Sequence, residues 1–192
     1  MKAKILTGIC ILLAVTLLIS VSSRNKSGDA SVGTSFDTTV SYANWGDLND
    51  LYFHALNADK MVISSVRHLP IYKFETLAEL EQFKDNVKDI LTIDCGYDEV
   101  PSFNDATANY DAAFFSKNTL LLVYAEASSG SYRYGVDSVY HADGNFCVHV
   151  TQTNHPEVVT DDMAGWFITV AVPASVAETC TTFDANFSHD FN

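Results

Sequence analysis

The chain has 192 residues, of which 24 are acidic and 11 are basic, and its formal net charge is −13. Residues 134–192 contain no lysine or arginine. Binding of nucleic acid requires cations that displace counterions from the phosphates, so this charge excludes nucleic acid as a partner and disfavours anionic lipid surfaces.

The N-terminus has the pattern of an export signal. Lys2 and Lys4 precede an almost wholly apolar run over residues 5–21, and small residues follow at 20–23. This succession predicts that residues 1–23 are a secretory signal peptide or a membrane anchor, with cleavage left open. The protein is therefore expected to be secreted or to lie on the extracytoplasmic face of the membrane, touching the membrane only through an uncleaved N-terminal segment.

Composition divides the rest of the chain. Residues 24–41 are rich in serine, glycine, aspartate and threonine, and such a segment buries too little apolar surface to offset its ordering entropy. It is predicted to be a flexible leader. Residues 42–185 are long enough for a single α+β domain, and residues 186–192 form a C-terminal tail.

Two short segments open the predicted domain. Residues 47–57 carry apolar side chains at helical spacing and predict an amphipathic helix that ends at about Asn57. Residues 61–66 contain β-branched side chains and predict a strand. Pro70 interrupts the chain, and residues 71–74 alternate in a second short strand or an extended approach to one.

Residues 76–91 carry the clearest helical signal. Thr76 and Glu79 have the spacing of a capping box, in which the hydroxyl and the carboxylate each bind a backbone amide of the first turn. The apolar positions recur every three or four residues and define one buried face: Leu77, Leu80, Phe83, Val87 and Ile90. Residues 111–116 predict a shorter helical turn whose paired Phe114 and Phe115 enter the core.

The last third of the chain changes to strand periodicity. Residues 120–124 form a continuous apolar run, typical of a central strand buried on both faces. Residues 134–141 and 146–151 flank an Asp-Gly turn and predict a hairpin, and residues 166–172 alternate cleanly. The predicted fold is α+β, with N-terminal helices packed on a mainly antiparallel sheet whose C-terminal part is a four-stranded meander.

Three cysteines follow the signal segment. Cys147 lies in the middle of a predicted strand, where a thiol is expected to be buried and unreactive. Cys95 and Cys180 lie in irregular segments that can adapt to disulfide geometry, so they are the predicted pair if a bridge forms.

No catalytic or metal constellation stands out, and no cofactor is predicted. In the hairpin register His141 and His149 point to opposite faces, so they cannot share a metal ion without a distant third ligand. Cys147 and His149 lie on one face, but alternate residues of a strand are nearly 7 Å apart at Cα, which argues against a catalytic dyad. No G-x-S-x-G motif is present.

The segment after the apolar strand is the candidate site. Residues 126–133 are small and polar, and they end in an aromatic residue and the last arginine of the chain. They are either a solvated connection or a flexible, presented binding loop. The candidate binding residues are Ser129, Gly130, Ser131, Tyr132 and Arg133. Tyr132 would be the contact anchor, and Arg133 would orient an acidic group of the partner.

Residues 113–124, 129–132, 143–144 and 163–167 resemble a group of small secreted proteins of Gram-positive bacteria that have no assigned function. More distantly, they are similar to the C-terminal domain of PrcB, a subunit of a spirochaete surface-protease complex. The resemblance covers about residues 111–173. It implies a non-enzymatic module that stabilises or contacts another extracellular protein.

Two functions from different classes follow from these observations. The first is an exported, non-catalytic domain that binds or stabilises an extracellular or cell-envelope protein. The alternative is a small extracellular hydrolase with an unrecognised site. A binding module should expose an apolar or aromatic patch, whereas an enzyme needs titratable groups that converge in a cleft.

Overall fold

The structure is a computed structural model that describes residues 36–44, 52, 54–63 and 67–188. The predicted signal segment and most of the predicted helix at 47–57 lie outside the described residues, so the packing of that helix on the sheet stays a prediction. No helix of the described part is long and apolar enough to cross a membrane.

The described chain is a mixed α/β structure with few helices and mostly antiparallel strands. Its elements, in chain order, are β1 (Asp37–Tyr42), α1 (Ala58–Ile63), β2 (Ile71–Phe74), α2 (Leu77–Val87), α3 (Phe103–Thr107), α4 (Ala112–Phe115), β3 (Asn118–Ala127), β4 (Tyr134–Ala142), β5 (Asn145–Gln152), β6 (Ala164–Pro173), α5 (Ala174–Ala177) and β7 (Thr182–Phe187).

The strands form two sheets, not one meander. The first sheet has the order β1-β6-β3-β2 and is antiparallel throughout. The second has the order β4-β5-β7, with β5 and β7 parallel. The predicted meander is wrong because β3 and β6, which are both apolar on two faces, pair with each other at the centre of the first sheet. The hairpin β4-β5 has one apolar face and covers that sheet instead.

Two apolar cores lie on the two faces of the first sheet. Between the sheets, side chains of β3 and β6 such as Val123 and Ile168 pack against Val148 and Val150 of β5. On the other face, Leu122 and Phe167 pack against α2 and α3. The alternation predicted for residues 166–172 is confirmed, since even-numbered and odd-numbered positions enter different cores.

Several local predictions are confirmed. The helix α2 begins at the predicted capping box of Thr76 and Glu79 and buries Leu80, Phe83 and Val87, although it ends at Val87 rather than at 91. Leu77, which was predicted on the same buried face, is 36% exposed at the first turn of the helix. The helix α4 begins at the N-cap Asp111. Its two phenylalanines are half-buried against the core beneath α2.

The predicted hairpin register is also confirmed. His141 pairs with Phe146 and Tyr140 with Cys147. Asp143 and Gly144 both have positive φ, of 51° and 78°, as a type I′ turn requires.

Three local predictions are wrong. Residues 186 and 187, assigned to the C-terminal tail, are the end of β7, because Phe187 is buried in the core between the sheets. Residues 37–41, assigned to the leader, belong to β1, because their threonines and Val40 pair with the apolar strand β6 and gain its hydrogen bonds. Residues 61–63, predicted as a strand, continue the helix α1. Near the start of that helix, Asn57 and Lys60 bind Asp184 of β7 and hold the helix against the second sheet.

Candidate functional site

The candidate loop lies against the connection between β5 and β6. Residues 128–133 are here named the serine loop, and residues 153–163 the valine segment. The hydroxyl oxygens of Ser129 and Ser131 lie 3.0 and 3.1 Å from the hydroxyl oxygen of Thr160. The Thr160 amide also donates to Ser131 Oγ at 3.1 Å. These bonds join the two segments into one surface at the end of the sheets.

Gly130 and Asp162 form a second link. The Gly130 amide donates to the Asp162 carbonyl at 2.9 Å and to its Oδ1 at 3.2 Å, and the Tyr97 hydroxyl donates to Oδ2 at 3.1 Å. Hydrogen bonds from Thr160, Gly130 and Tyr97 lower the pKa of the Asp162 carboxyl. A Cβ on residue 130 would lie 2.5 Å from the Tyr97 hydroxyl oxygen and 2.6 Å from Asp162 Oδ2, so a larger residue would displace these two side chains.

Asn154 closes the network on the other side of the serine loop. Its Oδ1 accepts from the Arg133 amide at 2.7 Å, and its Nδ2 donates to the Ser131 carbonyl at 2.8 Å. The Thr153 amide donates to the Arg133 carbonyl at 2.8 Å. The sequence suggested a flexible loop, whereas these contacts tie it along its length to the valine segment.

Arg133 points into the domain. Its guanidinium carbon lies 4.8 Å from the ring centroid of Trp166, which is fully buried, and 5.5 Å from that of Tyr97. It donates to Asp98 Oδ2 at 2.9 Å, to the Tyr132 carbonyl at 3.1 Å and to the Gly130 carbonyl. The predicted role in orienting an acidic group of a partner would require that group to replace the Asp98 carboxylate.

Tyr132 has a mixed environment. It is half-buried and packs against the core between the sheets. It also lines a pocket of about 380 Å³ beside the serine loop. The pocket is lined by Arg67, Glu126, Ala127, Ser128, Tyr132, Tyr134, Gln152 and Met163. Tyr132 can thus contact a ligand that enters the pocket.

The valine segment exposes apolar side chains that the sequence pattern does not predict as a site. Val158, Val159 and Met163, here named the apolar patch, are 84%, 47% and 50% exposed. Of the five large hydrophobic side chains exposed in the described part, these three lie in one connection. The signal in the sequence is a pair of valines between Glu157 and Asp161, too short and too polar in its flanks to form a strand.

A second cluster lies on the outer face of the β4-β5-β7 sheet. His149 Nδ1 lies 2.7 Å from Asn186 Oδ1, and Asn186 Nδ2 donates to Cys147 Sγ at 3.6 Å. Burial, together with the nearby Asp184 carboxylate, raises the pKa of the Cys147 thiol to about 11. A nucleophilic cysteine needs the opposite shift, so this thiol is not activated by its surroundings.

Asp184 is the centre of the neighbouring polar contacts. Three nitrogen atoms contact its carboxylate oxygens: Asn57 Nδ2 at 2.8 Å, Lys60 Nζ at 3.0 Å and His68 Nδ1 at 2.9 Å. Burial opposes ionisation, but these three partners outweigh it and hold the pKa of Asp184 below its usual value. The carboxylate therefore links α1 and the segment before β2 to β7. Among the described residues, no three His, Cys, Asp or Glu side chains are arranged to hold a metal ion.

The proposed disulfide is not formed. Cys95, Cys147 and Cys180 are all free thiols. Cys95 lies near Tyr42, which pairs with Trp166 near the start of β6. The Cys180 thiol donates a hydrogen bond to the carbonyl of Val176, which lies in α5, beyond the other end of β6. The two thiols are therefore separated by most of the length of that strand, roughly 20 Å at 3.3 Å per residue.

Comparison with known proteins adds no identification: no protein family, no curated protein and no solved structure matches the chain. The resemblance to the PrcB-type domain over residues 111–173 stays a prediction.

Proposed function

We propose that the protein is an exported, non-catalytic domain that binds or stabilises an extracellular or cell-envelope protein, and that the apolar patch is its contact surface. The observation that carries the proposal is the exposure of Val158, Val159 and Met163 beside a hydrogen-bonded serine loop. An apolar patch that is held in place by its polar neighbours is typical of a protein interaction site.

The hydrogen bonds that hold the valine segment against the serine loop support this role. Each loop or side chain that becomes ordered on association makes the binding free energy less favourable. Here the bonds of Thr160, Asp162 and Asn154 to the serine loop already order the valine segment. Little further ordering is needed when a partner covers the patch, so more of the burial free energy contributes to affinity.

The alternative hydrolase is less well supported. Its best candidate is the chain of contacts from His149 through Asn186 to Cys147. A thiol with a pKa of about 11 is almost wholly protonated at neutral pH and makes a poor nucleophile. The geometry and the charge of this cluster fit a structural network across β5 and β7.

The test uses the tagged full chain in cells that produce it. A protein that is cross-linked to the chain is identified, purified and then titrated against it in solution. The double variant Val158→Ser/Val159→Ser should weaken binding at least tenfold, because burial of each valine contributes about 1.5 kcal/mol. Its free energy of unfolding should stay within about 1 kcal/mol of the original, as for other surface changes.

The control is Leu77→Ser, which removes an exposed apolar side chain from the start of α2. It should leave the affinity unchanged. Equal affinity for the double variant and the control would refute the patch as the contact surface. Hydrolysis that disappears with Cys147→Ser or His149→Ala would overturn the non-catalytic function.

A further inference from the structure

The pocket beside the serine loop has charged groups of both signs. Glu126, near the end of β3, is half-buried, and its carboxylate accepts a hydrogen bond from the Tyr52 hydroxyl. Arg67 is exposed and forms no salt bridge among the residues that the structure describes; its guanidinium carbon lies 5.1 Å from the ring centroid of Phe187. The two charges line the same pocket without pairing with each other.

We propose that this pocket takes a lysine or arginine side chain from a basic segment of the partner protein. The inference rests on the proposed function, since it names the chemistry of the partner that covers the apolar patch. The aliphatic stem would lie against Tyr132, Tyr134 and Met163, and the cationic head would reach the Glu126 carboxylate.

The walls of the pocket suit such a side chain. Tyrosine rings attract cations through their electron-rich faces and also provide apolar contact for methylene groups. The Met163 thioether is a soft, adaptable surface at the mouth. A volume of about 380 Å³ leaves room for one long side chain.

The charge of the protein surface favours a cationic ligand over an anionic one in this pocket. The chain carries a net charge of −13, and the exposed carboxylates of Glu157 and Asp161 flank the apolar patch. This field attracts a basic segment and repels an acidic one during approach. Arg67 is the opposing local charge, and its position over Phe187 keeps it at one wall. A cationic side chain is therefore the better match for the surface as a whole.

The experiment uses two labelled peptides of equal length, one alternating lysine with leucine and the other alternating glutamate with leucine. Fluorescence anisotropy measures their binding to the purified full chain. The basic peptide should bind at least tenfold more tightly. Glu126→Gln should weaken it about tenfold, because a charged hydrogen bond is lost while the amide oxygen still accepts from Tyr52. Arg67→Gln should strengthen it a few-fold.

Glu178→Gln is the matched control. It removes the same charge from an exposed residue next to α5, at the other end of β6 from the pocket. It should change the affinity for the basic peptide less than twofold. An equal effect of Glu178→Gln and Glu126→Gln would show general charge attraction and overturn the proposal. Tighter binding of the acidic peptide, weakened by Arg67→Gln, would also overturn it.

The double variant Val158→Ser/Val159→Ser separates this proposal from the proposed function. If it loses the basic peptide while Glu126→Gln keeps it, the contact surface stands and the cation pocket is wrong. If it keeps the peptide while Glu126→Gln loses it, the pocket stands and the apolar patch is not the contact surface.

Discussion

Arg133 is the side chain whose removal tests the structure of the site most directly. Arg133→Ala would remove the stacking of the guanidinium on Trp166 and Tyr97, which contributes about 1 kcal/mol for a partly desolvated cation. It would also remove the bonds to the Gly130 and Tyr132 carbonyls, each about 1 kcal/mol. The ion pair with Asp98, whose side chain is 70% exposed, adds almost nothing. The expected loss is about 2–3 kcal/mol.

Denaturant unfolding, followed by tryptophan fluorescence, measures this loss. Arg133→Lys should lose about half as much, because an ammonium keeps the charge but not the planar fork that reaches both carbonyls. Asp98→Asn is the matched control. It removes the ion pair, and asparagine tolerates the positive φ of 52° at this position, so its effect should stay below about 0.5 kcal/mol.

The stabilising role of Arg133 would be refuted if Arg133→Ala changed the free energy of unfolding by less than about 0.5 kcal/mol. It would equally fail if Asp98→Asn were as destabilising as Arg133→Ala. In the first case the contacts of Arg133 with Trp166 and the two carbonyls would contribute little to stability, and in the second the ion pair with Asp98 would account for the loss.

Two further predictions concern the outer face of the second sheet. The pKa of Asp184 is lower in the folded protein than its usual value of 3.8, so its contribution is present above pH 4 and is lost as the pH falls through the folded-state pKa. Asp184→Asn should therefore lower stability at pH 7 by about 2 kcal/mol and flatten the loss of stability below pH 4, as measured by thermal unfolding across pH; an unchanged acid profile would contradict this. At pH 8, the exposed Cys95 should react with iodoacetamide at least tenfold faster than Cys147, as located by mass spectrometry, because burial keeps the Cys147 thiol protonated. Equal rates at the two positions would show that Cys147 is more accessible and more acidic than its environment indicates.

Local structure was predictable wherever one stretch of sequence determines it. The capping box of Thr76 and the type I′ turn at Asp143 and Gly144 depend only on neighbouring residues. The pairing of β3 with β6 depends on which apolar strands meet across 36 residues of chain, and alternation within each strand does not contain that information. The parallel pairing of β7 with β5 has the same origin. Residues 182–187 alternate polar and apolar side chains as a half-buried strand does, but that alternation gives neither the neighbouring strand nor its direction.

The candidate site was predicted in part. The position of the serine loop at the end of β3 follows from the turn residues after an apolar strand. Its attachment to Thr160 and Asp162 does not, because these partners lie 29 to 32 residues away along the chain. The inward direction of Arg133 depends on Trp166 and Tyr97, which come from two other elements.

The polar bonds of the valine segment and its apolar side chains have separate roles. Thr160, Asp162 and Asn154 hold the segment through bonds that involve neither Val158 nor Val159. A side chain that is 84% exposed gains little from the folded state, so Val158 contributes almost nothing to stability. Serine at both positions would keep the fold and lower the exposed apolar area. A domain with no partner at this surface would thereby become more soluble. On the proposed function, the two valines contact another molecule, and the bonded serine loop is the support that presents them.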